Sequence, residues 1–394
     1  MDYEEPALKL HRKLQGKLET VSKYTIKNKE DLSMIYTPGV GAVSQYISNH
    51  KEAVFDLTLK GRTVAVISDG SAILGLGNLG PEAALPVMEG KCVIFKTFAG
   101  LDAFPIVINA SEPERIIDFI RMIAPTFAAI NLEDISAPRC FEIEAALQNL
   151  GIPVMHDDQH ATAIAVLGPL QAAIKLSGRS WFKTKVVING AGAAGSAVAK
   201  MLSCFKFDKG YCSSVSDVIV LDSKGIIYKN REDLSGYKKE LSEFTNKNSI
   251  KGDLNTALIN ADVFIGLSKG GVLQKNHIRK MAKDPIIFAL ANPVPEIYPS
   301  EAKKAGVRFI ATGRSDFPNQ VNNALVFPGL FLGAIKAKAK KITSRMKLAA
   351  AEALAGIIKK PTINHFVPSI FDKKVVKTIA SAVASAYDPT EGFE

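Results

Sequence analysis

A glycine-rich segment, GAGAAG at residues 190–195, restricts the fold of this chain more than any other feature of its sequence. It directly follows an apolar run at residues 185–189, and it opens an alanine-rich stretch that favours a helix. A second apolar run follows at residues 218–222 and ends in an acid, Asp222. Strand, glycine turn, helix and strand in this order form a βαβ unit, which predicts a parallel sheet.

Each glycine of this segment has a physical role if the turn binds a dinucleotide. Gly190 permits the tight turn, Gly192 lets the backbone approach a pyrophosphate, and Gly195 lets helix and strand pack closely. Ala193 and Ala194 open the helix, whose N-terminus attracts phosphate. We therefore predict that NAD or NADP binds here. The alternative is a glycine-rich turn that serves packing alone.

The preference between NAD and NADP depends on residues beyond the glycine turn. Asp222 should accept hydrogen bonds from the adenosine ribose, which favours NAD, whereas Lys224 could neutralise the 2′-phosphate of NADP. The preference therefore stays open. Asn292 follows a later apolar run, at the sheet edge where ligands bind in such folds, although it could equally be a turn residue.

The same glycine pattern occurs earlier, as GLGNLG at residues 75–80. It does not follow its strand directly, and no acid ends the next apolar run. We interpret it either as a loop whose amides line the site or as a tight structural turn.

Short apolar runs alternate with helix-length segments, which predicts an α/β protein. The expected strands lie at residues 63–68, 91–95, 105–108, 128–131, 185–189, 218–222, 263–266 and 285–290. Because 394 residues exceed the usual limit of one core, we expect two domains. These are an N-terminal α/β substrate domain, residues 1–160, and a C-terminal Rossmann-type domain with a doubly wound parallel sheet, residues 161–394. The second begins with a helix at 161–177 and ends in a helical tail at about 330–358.

Composition excludes several classes of protein. Hydrophobic residues make up 47% and charged residues 22% of the chain, as in globular enzymes. The sequence shows neither a membrane-length apolar run nor a secretion signal, so we expect a cytoplasmic protein without a membrane partner. Four cysteines without metal spacing argue against a zinc site and a disulfide framework. The net charge of +10 could indicate nucleic acid, but the lysines are dispersed and densest at 336–347, where we expect a solvated helix face.

Two pairs of adjacent acids follow strand-like runs, Glu133-Asp134 and Asp157-Asp158. Neighbouring carboxylates at buried strand ends repel each other and lose hydration, so they need a cation, hydrogen-bond donors or a raised pKa. Oxygen-only ligands favour a hard ion, Mg²⁺ or Mn²⁺. The alternative is that Asp134 and Asp158 are N-caps of the helices that follow.

Lys91 and Tyr36 are candidates for proton transfer. Lys91 should open an apolar strand, where desolvation and a nearby metal would lower its pKa toward neutrality. Tyr36 precedes Pro-Gly, and its hydroxyl can serve as an acid. Either residue could instead be structural. His156 and His160 flank the second acid pair, where support of the carboxylates or helix capping is favoured over a zinc pair.

Several motifs together resemble the malic enzymes, in particular the small bacterial type. They are YTPG at 36–39, SDG at 68–70 running into LGLGNLG at 74–80, MEGK at 88–91, NLED at 131–134, HDDQH at 156–160 and NQVNN at 319–323. The resemblance covers about residues 15–335. It implies oxidative decarboxylation of L-malate to pyruvate and CO₂ with NAD(P)⁺ and Mg²⁺ or Mn²⁺, typically by a homodimer.

The resemblance also implies roles for individual residues. Glu133, Asp134 and Asp158 would ligate the metal, and Asp157 would support the catalytic network. Lys91 would take the proton from the malate hydroxyl, and Tyr36 would protonate C3 of enolpyruvate. Asn292 and Asn323 would hold the substrate or the nicotinamide end.

The chain departs from larger family members at Ser71, where they carry an arginine, so the group that neutralises the substrate carboxylate stays open. Two other functions stay open as well: a malolactic-type lyase that releases lactate and retains its NAD, and a catalytically inactive dinucleotide sensor.

Overall fold

The computed structural model describes residues 3–208 and 210–390. Its strands are β1 Thr63–Ser68, β2 Asp102–Val107, β3 Ala129–Leu132, β4 Val154–His156, β5 Lys185–Asn189, β6 Asp217–Asp222, β7 Gly225–Ile226, β8 Val263–Gly266, β9 Ile286–Ala289 and β10 Phe309–Thr312. Its α-helices are α1 Glu4–Leu14, α2 Lys29–Ile35, α3 Gly39–Asn49, α4 Val54–Leu57, α5 Pro81–Ile94, α6 Pro113–Ile123, α7 Arg139–Ala146, α8 Asp157–Leu176, α9 Ala193–Leu202, α10 Gly236–Phe244, α11 Leu254–Ala257, α12 Lys275–Ile278, α13 Pro299–Lys304, α14 Phe327–Lys336, α15 Ser344–Ala355 and α16 Lys374–Ala386.

The strands form two sheets. The first has the order β2-β1-β3-β4, and all of its neighbours pair in parallel. The second has the order β10-β9-β8-β5-β6-β7 and is parallel except for the β6–β7 hairpin. Strands β1, β3, β8, β9 and β10 are buried along their whole length, which explains why they are continuous apolar runs. The expected α/β fold with a Rossmann-type second sheet is confirmed.

Helix α8 connects the two sheets. One hydrophobic core contains Val64 of β1, Ile164 of α8 and Val186 of β5. The same core takes in apolar residues of α14, α15 and α16, so the C-terminal helices pack on both halves of the molecule. The expected boundary at residue 160 therefore falls inside a helix that both halves share.

One expected strand is wrong. Residues 91–94 form the last turn of α5, and Phe95–Ala99 continue as a π-helix. A short apolar run cannot be told from a buried helix by periodicity alone, and Pro81 in the first turn of α5 was the signal for a helix. The strand beside β1 is instead β2, an edge strand that accommodates Pro105.

The tail and the cysteines also differ from expectation. The lysine-rich segment 336–347 is not one solvated helix face, because it crosses the break between α14 and α15. Cys204 and Cys212 form a disulfide, with a Cα–Cα distance of 5.7 Å, because the chain turns back after α9. Their spacing did not indicate this pairing.

Helices α1 to α4 have no buried residue. Within the described ranges, no helix combines the length and the apolar character that a membrane span requires.

Candidate active site

Parallel pairing brings the two acid pairs together. Leu132, the last residue of β3, is in register with His156, the last residue of β4. Glu133 and Asp134 therefore leave the sheet beside the start of α8, which carries the second pair. Carboxylate oxygens of Glu133, Asp134 and Asp158 all lie within 4.8 Å of one another. The expected metal ligands thus converge at the carboxyl edge of the first sheet.

The protein around this cluster does not fully stabilise the negative charge of its carboxylates. Burial, and then the neighbouring carboxylates, raise the pKa of Asp134 to about 7. Burial also raises the pKa of Glu133, against the effect of Lys91. Oδ2 of Asp134 is buried and has no hydrogen-bond partner among the described residues. An unpartnered oxygen beside two further carboxylates fits a hard divalent cation.

The N-cap interpretation of these acids is wrong. Asp134 has a φ of 52° in the loop before α7, and that helix begins only at Arg139. The N-cap of α8 is His156, and Asp158 lies within the first helical turn. Asp158 Oδ2 instead accepts a hydrogen bond from the backbone amide of Asp134, which ties the two pairs together.

Lys91 projects from the last turn of α5 into this cluster. Its side chain is 6% exposed, and Nζ lies 2.5 Å from both Glu133 Oε2 and Asp157 Oδ2. The ring of Phe327 covers the ammonium at 4.4 Å. Burial opposes the charge on Lys91, but Asp157, Glu133 and Asp158 outweigh it, and the pKa of Lys91 is raised. The prediction of a lowered pKa for this lysine is therefore wrong for the protein without a bound metal.

Two asparagines also contact acids of the cluster. Asn323 Nδ2 donates a hydrogen bond to Asp157 Oδ2, although the two residues are far apart in sequence. Asn131 Nδ2 donates to Glu133 Oε2 over 3.1 Å. Asn323 was expected at the site, whereas Asn131 was not. The sequence did contain an indication, because Asn131 is a polar residue within the apolar strand β3. The structure shows that it is fully buried, where a polar side chain needs a partner.

A second buried network supports the start of α8 and was not expected. Glu144 of α7 accepts hydrogen bonds from the His156 amide and from Gln159 Nε2. His160 Nε2 lies 3.0 Å from Glu144 Oε2 and 3.3 Å from Nζ of Lys347 on α15. Burial would raise the pKa of Glu144, but His160, Lys347 and the donated hydrogen bonds lower it to about 2. The His156 ring lies 3.5 Å from Asp158 Oδ2, so both histidines of the HDDQH motif lie close to acids.

Tyr36 and Asn292 lie outside the buried cluster. Tyr36 follows α2, is 66% exposed, and its side chain makes no hydrogen bond to any described residue. Asn292 is exposed at the carboxyl end of β9. A Cβ added to Gly75 would come within 3.2 Å of the Asn292 carbonyl. The first glycine loop, at 75–80, therefore reaches across to the second sheet.

Ser71 secures the loop that leads into this glycine segment. Its hydroxyl donates to Asp69 Oδ1 and accepts a hydrogen bond from the Ser136 amide. Asp69 Oδ2 in turn lies 2.8 Å from Arg139 Nη2. Arg139 is therefore a cation held close to Ser71 through Asp69.

The second glycine segment has the shape that its sequence predicted. Gly190 adopts a φ of 129°, which favours glycine, and a Cβ on Gly195 would lie 1.8 Å from the Gly190 carbonyl oxygen. Gly192 is exposed, with no heavy atom within 4 Å of the place where its Cβ would be. Ala193 then begins α9 directly after this exposed glycine. The segment fits a pyrophosphate.

Comparison with known proteins agrees with this geometry. The model of the malic enzyme N-terminal domain matches residues 15–148, and that of the malic enzyme NAD binding domain matches residues 159–387. A bifunctional malic/malolactic enzyme of Bacillus subtilis (strain 168) is 49% identical over 390 residues, covering 98% of this chain and 93% of that protein. An NADP-dependent malic enzyme of Halomonas elongata is 42% identical, covering 96% of this chain and 92% of that protein.

Solved structures show the same relationship. The crystal structure of an NAD-dependent malic enzyme from Thermotoga maritima has a TM-score of 0.92 at 46% identity, covering 97% of this chain and 99% of that chain. Identity at this level over nearly the full length, together with two matching domain models, confirms the resemblance. The chain belongs to the malic enzyme family and is an oxidoreductase of that family.

Proposed function

We propose that this chain catalyses the oxidative decarboxylation of L-malate to pyruvate and CO₂, with NAD(P)⁺ as the oxidant and Mg²⁺ or Mn²⁺ as the metal. The observation that carries the proposal is the convergence of Glu133, Asp134 and Asp158 around an unpartnered carboxylate oxygen. Lys91, a group able to move protons, lies 2.5 Å from one of these acids.

The cofactors supply chemistry that side chains lack. A cation on the three acids would polarise the C2 oxygen of malate and stabilise the charge left when CO₂ departs. The nicotinamide would accept the hydride from C2.

The protein's own groups position the substrate and move its protons. Lys91 takes the proton of the malate hydroxyl, and its pKa would fall if the charge of Glu133 were shared with a cation. One oxygen of Asp157, Oδ2, contacts both Lys91 and Asn323, which fixes both groups. Asn323 and Asn292 bind the substrate or the nicotinamide end, and the Tyr36 hydroxyl protonates C3.

The position of Tyr36 supports the proposal of a homodimer. This residue lies among exposed apolar side chains on α1 to α3, which include Leu32, Met34 and Val43. Contiguous exposed apolar surface marks association sites. We propose that a second copy of the chain covers this face and encloses Tyr36. The proposed enzyme is cytoplasmic and binds neither nucleic acid nor membrane.

Initial rates test the activity directly. Purified chain with L-malate, Mn²⁺ and either NAD⁺ or NADP⁺ should form reduced nicotinamide, and EDTA should abolish the signal. The variant Lys91→Ala should lose turnover while still binding the dinucleotide. Absence of reduced cofactor with both dinucleotides would refute the proposal.

Product analysis separates the alternatives. Lactate formed without net NADH would identify the malolactic-type lyase. Dinucleotide binding without any turnover by the wild-type chain would identify a sensor.

A further inference from the structure

Glu296 is a buried acid near the carboxyl edge of the second sheet, and the proposed chemistry does not use it. Its exposed fraction is 0%. The partners of its carboxylate are backbone amides: Oε1 accepts from the Ser268 amide over 3.2 Å, and Oε2 accepts from the Ala291 amide over 3.0 Å. Burial raises the pKa of Glu296, although these donated hydrogen bonds lower it. Burying an acid costs free energy, so packing alone does not explain this residue.

The two amides belong to different loops of the second sheet. Ser268 lies in the loop after β8, and Ala291 lies in the loop after β9. These strands are neighbours, so one side chain joins the two loops at the carboxyl ends of adjacent strands. Gly266, the last residue of β8, leaves the space that this side chain fills, because a Cβ there would lie 2.2 Å from Cδ of Glu296.

The loop after β8 also supports the glycine turn at 190–195. Ser268 Oγ accepts a hydrogen bond from Asn189 Nδ2 over 2.8 Å. A Cβ on Gly190 would lie 2.5 Å from the Leu267 carbonyl oxygen and 3.3 Å from Cβ of Ser268. A shift of this loop would therefore displace the turn that is proposed to bind the pyrophosphate.

The loop after β9 carries Asn292, which the proposed function places at the substrate or the nicotinamide end. Arg314 Nη1 donates a hydrogen bond to the Pro293 carbonyl over 2.7 Å. A Cβ on Gly313 would lie 2.9 Å from Asn292 Nδ2, so the side-chain amide lies against this glycine. Ala291, whose amide Glu296 binds, directly precedes Asn292. Contacts on both sides of Asn292 therefore fix its position.

On the basis of the proposed function, we infer that Glu296 is a positioning residue that fixes Asn292 relative to the glycine turn of the dinucleotide site. A carboxylate suits this role because both of its oxygens accept hydrogen bonds, whereas a glutamine amide offers one acceptor. Hydride transfer requires reacting atoms about 3 to 3.5 Å apart. A small displacement between the two loops therefore affects the reaction more than it affects binding.

Hydrogen exchange measured by mass spectrometry tests the contact without substrate or cofactor. Glu296→Gln should speed exchange in peptides that cover residues 267–270 and 290–296, because one of the two amides loses its acceptor. Peptides of the first sheet should exchange as in the wild type. Glu301→Gln is the matched control, since Glu301 is an exposed acid in the first turn of α13. Wild-type exchange in both loops of the Glu296 variant would overturn the inference.

Kinetics separates positioning from a general loss of structure. In Glu296→Gln, kcat should fall roughly 10- to 100-fold, the range expected for a displacement of up to about 1 Å. NADH affinity should fall by less than about tenfold, as for one lost hydrogen bond. The isotope effect with malate deuterated at C2 should rise, because hydride transfer becomes the slow step. Mn²⁺ affinity should not change, since the metal-site acids lie on the first sheet. An unchanged isotope effect, or an equal loss of Mn²⁺ affinity, would contradict the role.

Gly266→Ala disturbs the same contact without changing the acid. The added methyl group would push Cδ of Glu296 from the side of β8 and move the carboxylate away from the two amides. We expect the same pattern of exchange and the same rise of the isotope effect as in Glu296→Gln. Because the two variants differ in chemistry, a shared result assigns the effect to the contact. Wild-type behaviour of Gly266→Ala would count against it.

Failure of this inference differs from failure of the proposed function. If the wild-type chain forms no reduced cofactor with either dinucleotide, the proposed activity fails, and the positioning role fails with it. If the wild type turns over malate while Glu296→Gln keeps its kcat and isotope effect, the activity stands and the positioning role alone is refuted.

Discussion

Asp134 shows how a single side chain can hold a position that the protein alone does not stabilise. Its backbone adopts a left-handed conformation, which Asp tolerates better than most residues, and one of its carboxylate oxygens is buried without a hydrogen bond. Both features cost free energy. They are understandable if the carboxylate has to reach a cation that a more relaxed side chain would miss.

Replacing Asp134 by Asn should therefore weaken metal binding without unfolding the protein. The amide keeps the size of the carboxylate but loses its charge, so we expect Mn²⁺ affinity to fall roughly 100-fold, the upper end for changes around metal sites. Mn²⁺ titration followed by electron paramagnetic resonance measures this without substrate. The thermal stability of the metal-free protein should stay the same or rise, because a buried repulsion is removed.

Asp118→Asn provides the comparison, since Asp118 is an exposed acid on α6. Unchanged Mn²⁺ affinity in the Asp134 variant would show that this residue is not a ligand.

A polar contact joins helices α7 and α8 at the start of α8, between the hydrophobic core and the candidate active site. Glu144 on α7 binds the amide that precedes α8, and the ring of His160, one turn into α8, lies against the same carboxylate. The direction of α8 at its first turn, and with it the position of Asp157 and Asp158, depends on this contact.

Glu144→Gln should destabilise the fold by about 2 kcal/mol at pH 7, because the buried His156 amide and Gln159 Nε2 lose a charged hydrogen-bond acceptor. The effect should depend on pH. The folded-state pKa of about 2 lies below the ordinary value of 4.5, so the carboxylate contributes stability above about pH 4.5. That contribution is lost as the pH falls toward 2. Urea unfolding at several pH values between 7 and 3.5 should show a shrinking difference between wild type and variant.

Glu142→Gln is the matched control, because Glu142 is an exposed acid on the same helix. A difference in the free energy of unfolding that stays constant with pH would contradict the role given to the Glu144 charge.

The success of sequence-based prediction varied among elements for physical reasons. Strands β1, β5 and β8 were predicted to the residue, because strands buried on both faces are continuous apolar runs between polar turns. The segment around Lys91 was misassigned, since four or five apolar residues fit a buried helix equally well. The two acid pairs were predicted from their places after strands, whereas the choice of Glu133, Asp134 and Asp158 as candidate ligands depended on the family resemblance. Glu144 and Lys347 were not predicted, because the contacts that each makes with His160 join helices distant in sequence.

At the scale of the whole molecule, one face does not pack against the hydrophobic core. Helices α1 to α3 carry apolar side chains such as Leu32, Met34, Val43 and Tyr46, all of which are more than a third exposed. Burying such a face releases water from apolar surface, which favours association. Tyr36 lies on this face, so association would also change the surroundings of a proposed catalytic group.

Introducing charge on this face should separate the subunits of the proposed dimer. Met34→Glu and Val43→Glu, alone or together, should shift the protein from dimer to monomer, because an unpaired carboxylate would be buried on association. Sedimentation velocity measures the shift, and malate oxidation should fall with it. Met122→Glu changes an apolar side chain that is 72% exposed on α6 and should leave both properties unchanged. A wild-type chain that sediments as a monomer would refute the dimer.

Helix α8 carries most of its 20 residues in the interior. It starts among the acids at the edge of the first sheet and ends in the core beneath the second. A cut at residue 160 would leave an N-terminal fragment without the helix that covers its sheet. The C-terminal fragment would keep that helix, with part of its apolar surface exposed to water. The two halves should therefore depend on each other during biosynthesis and mature as a single cooperative unit.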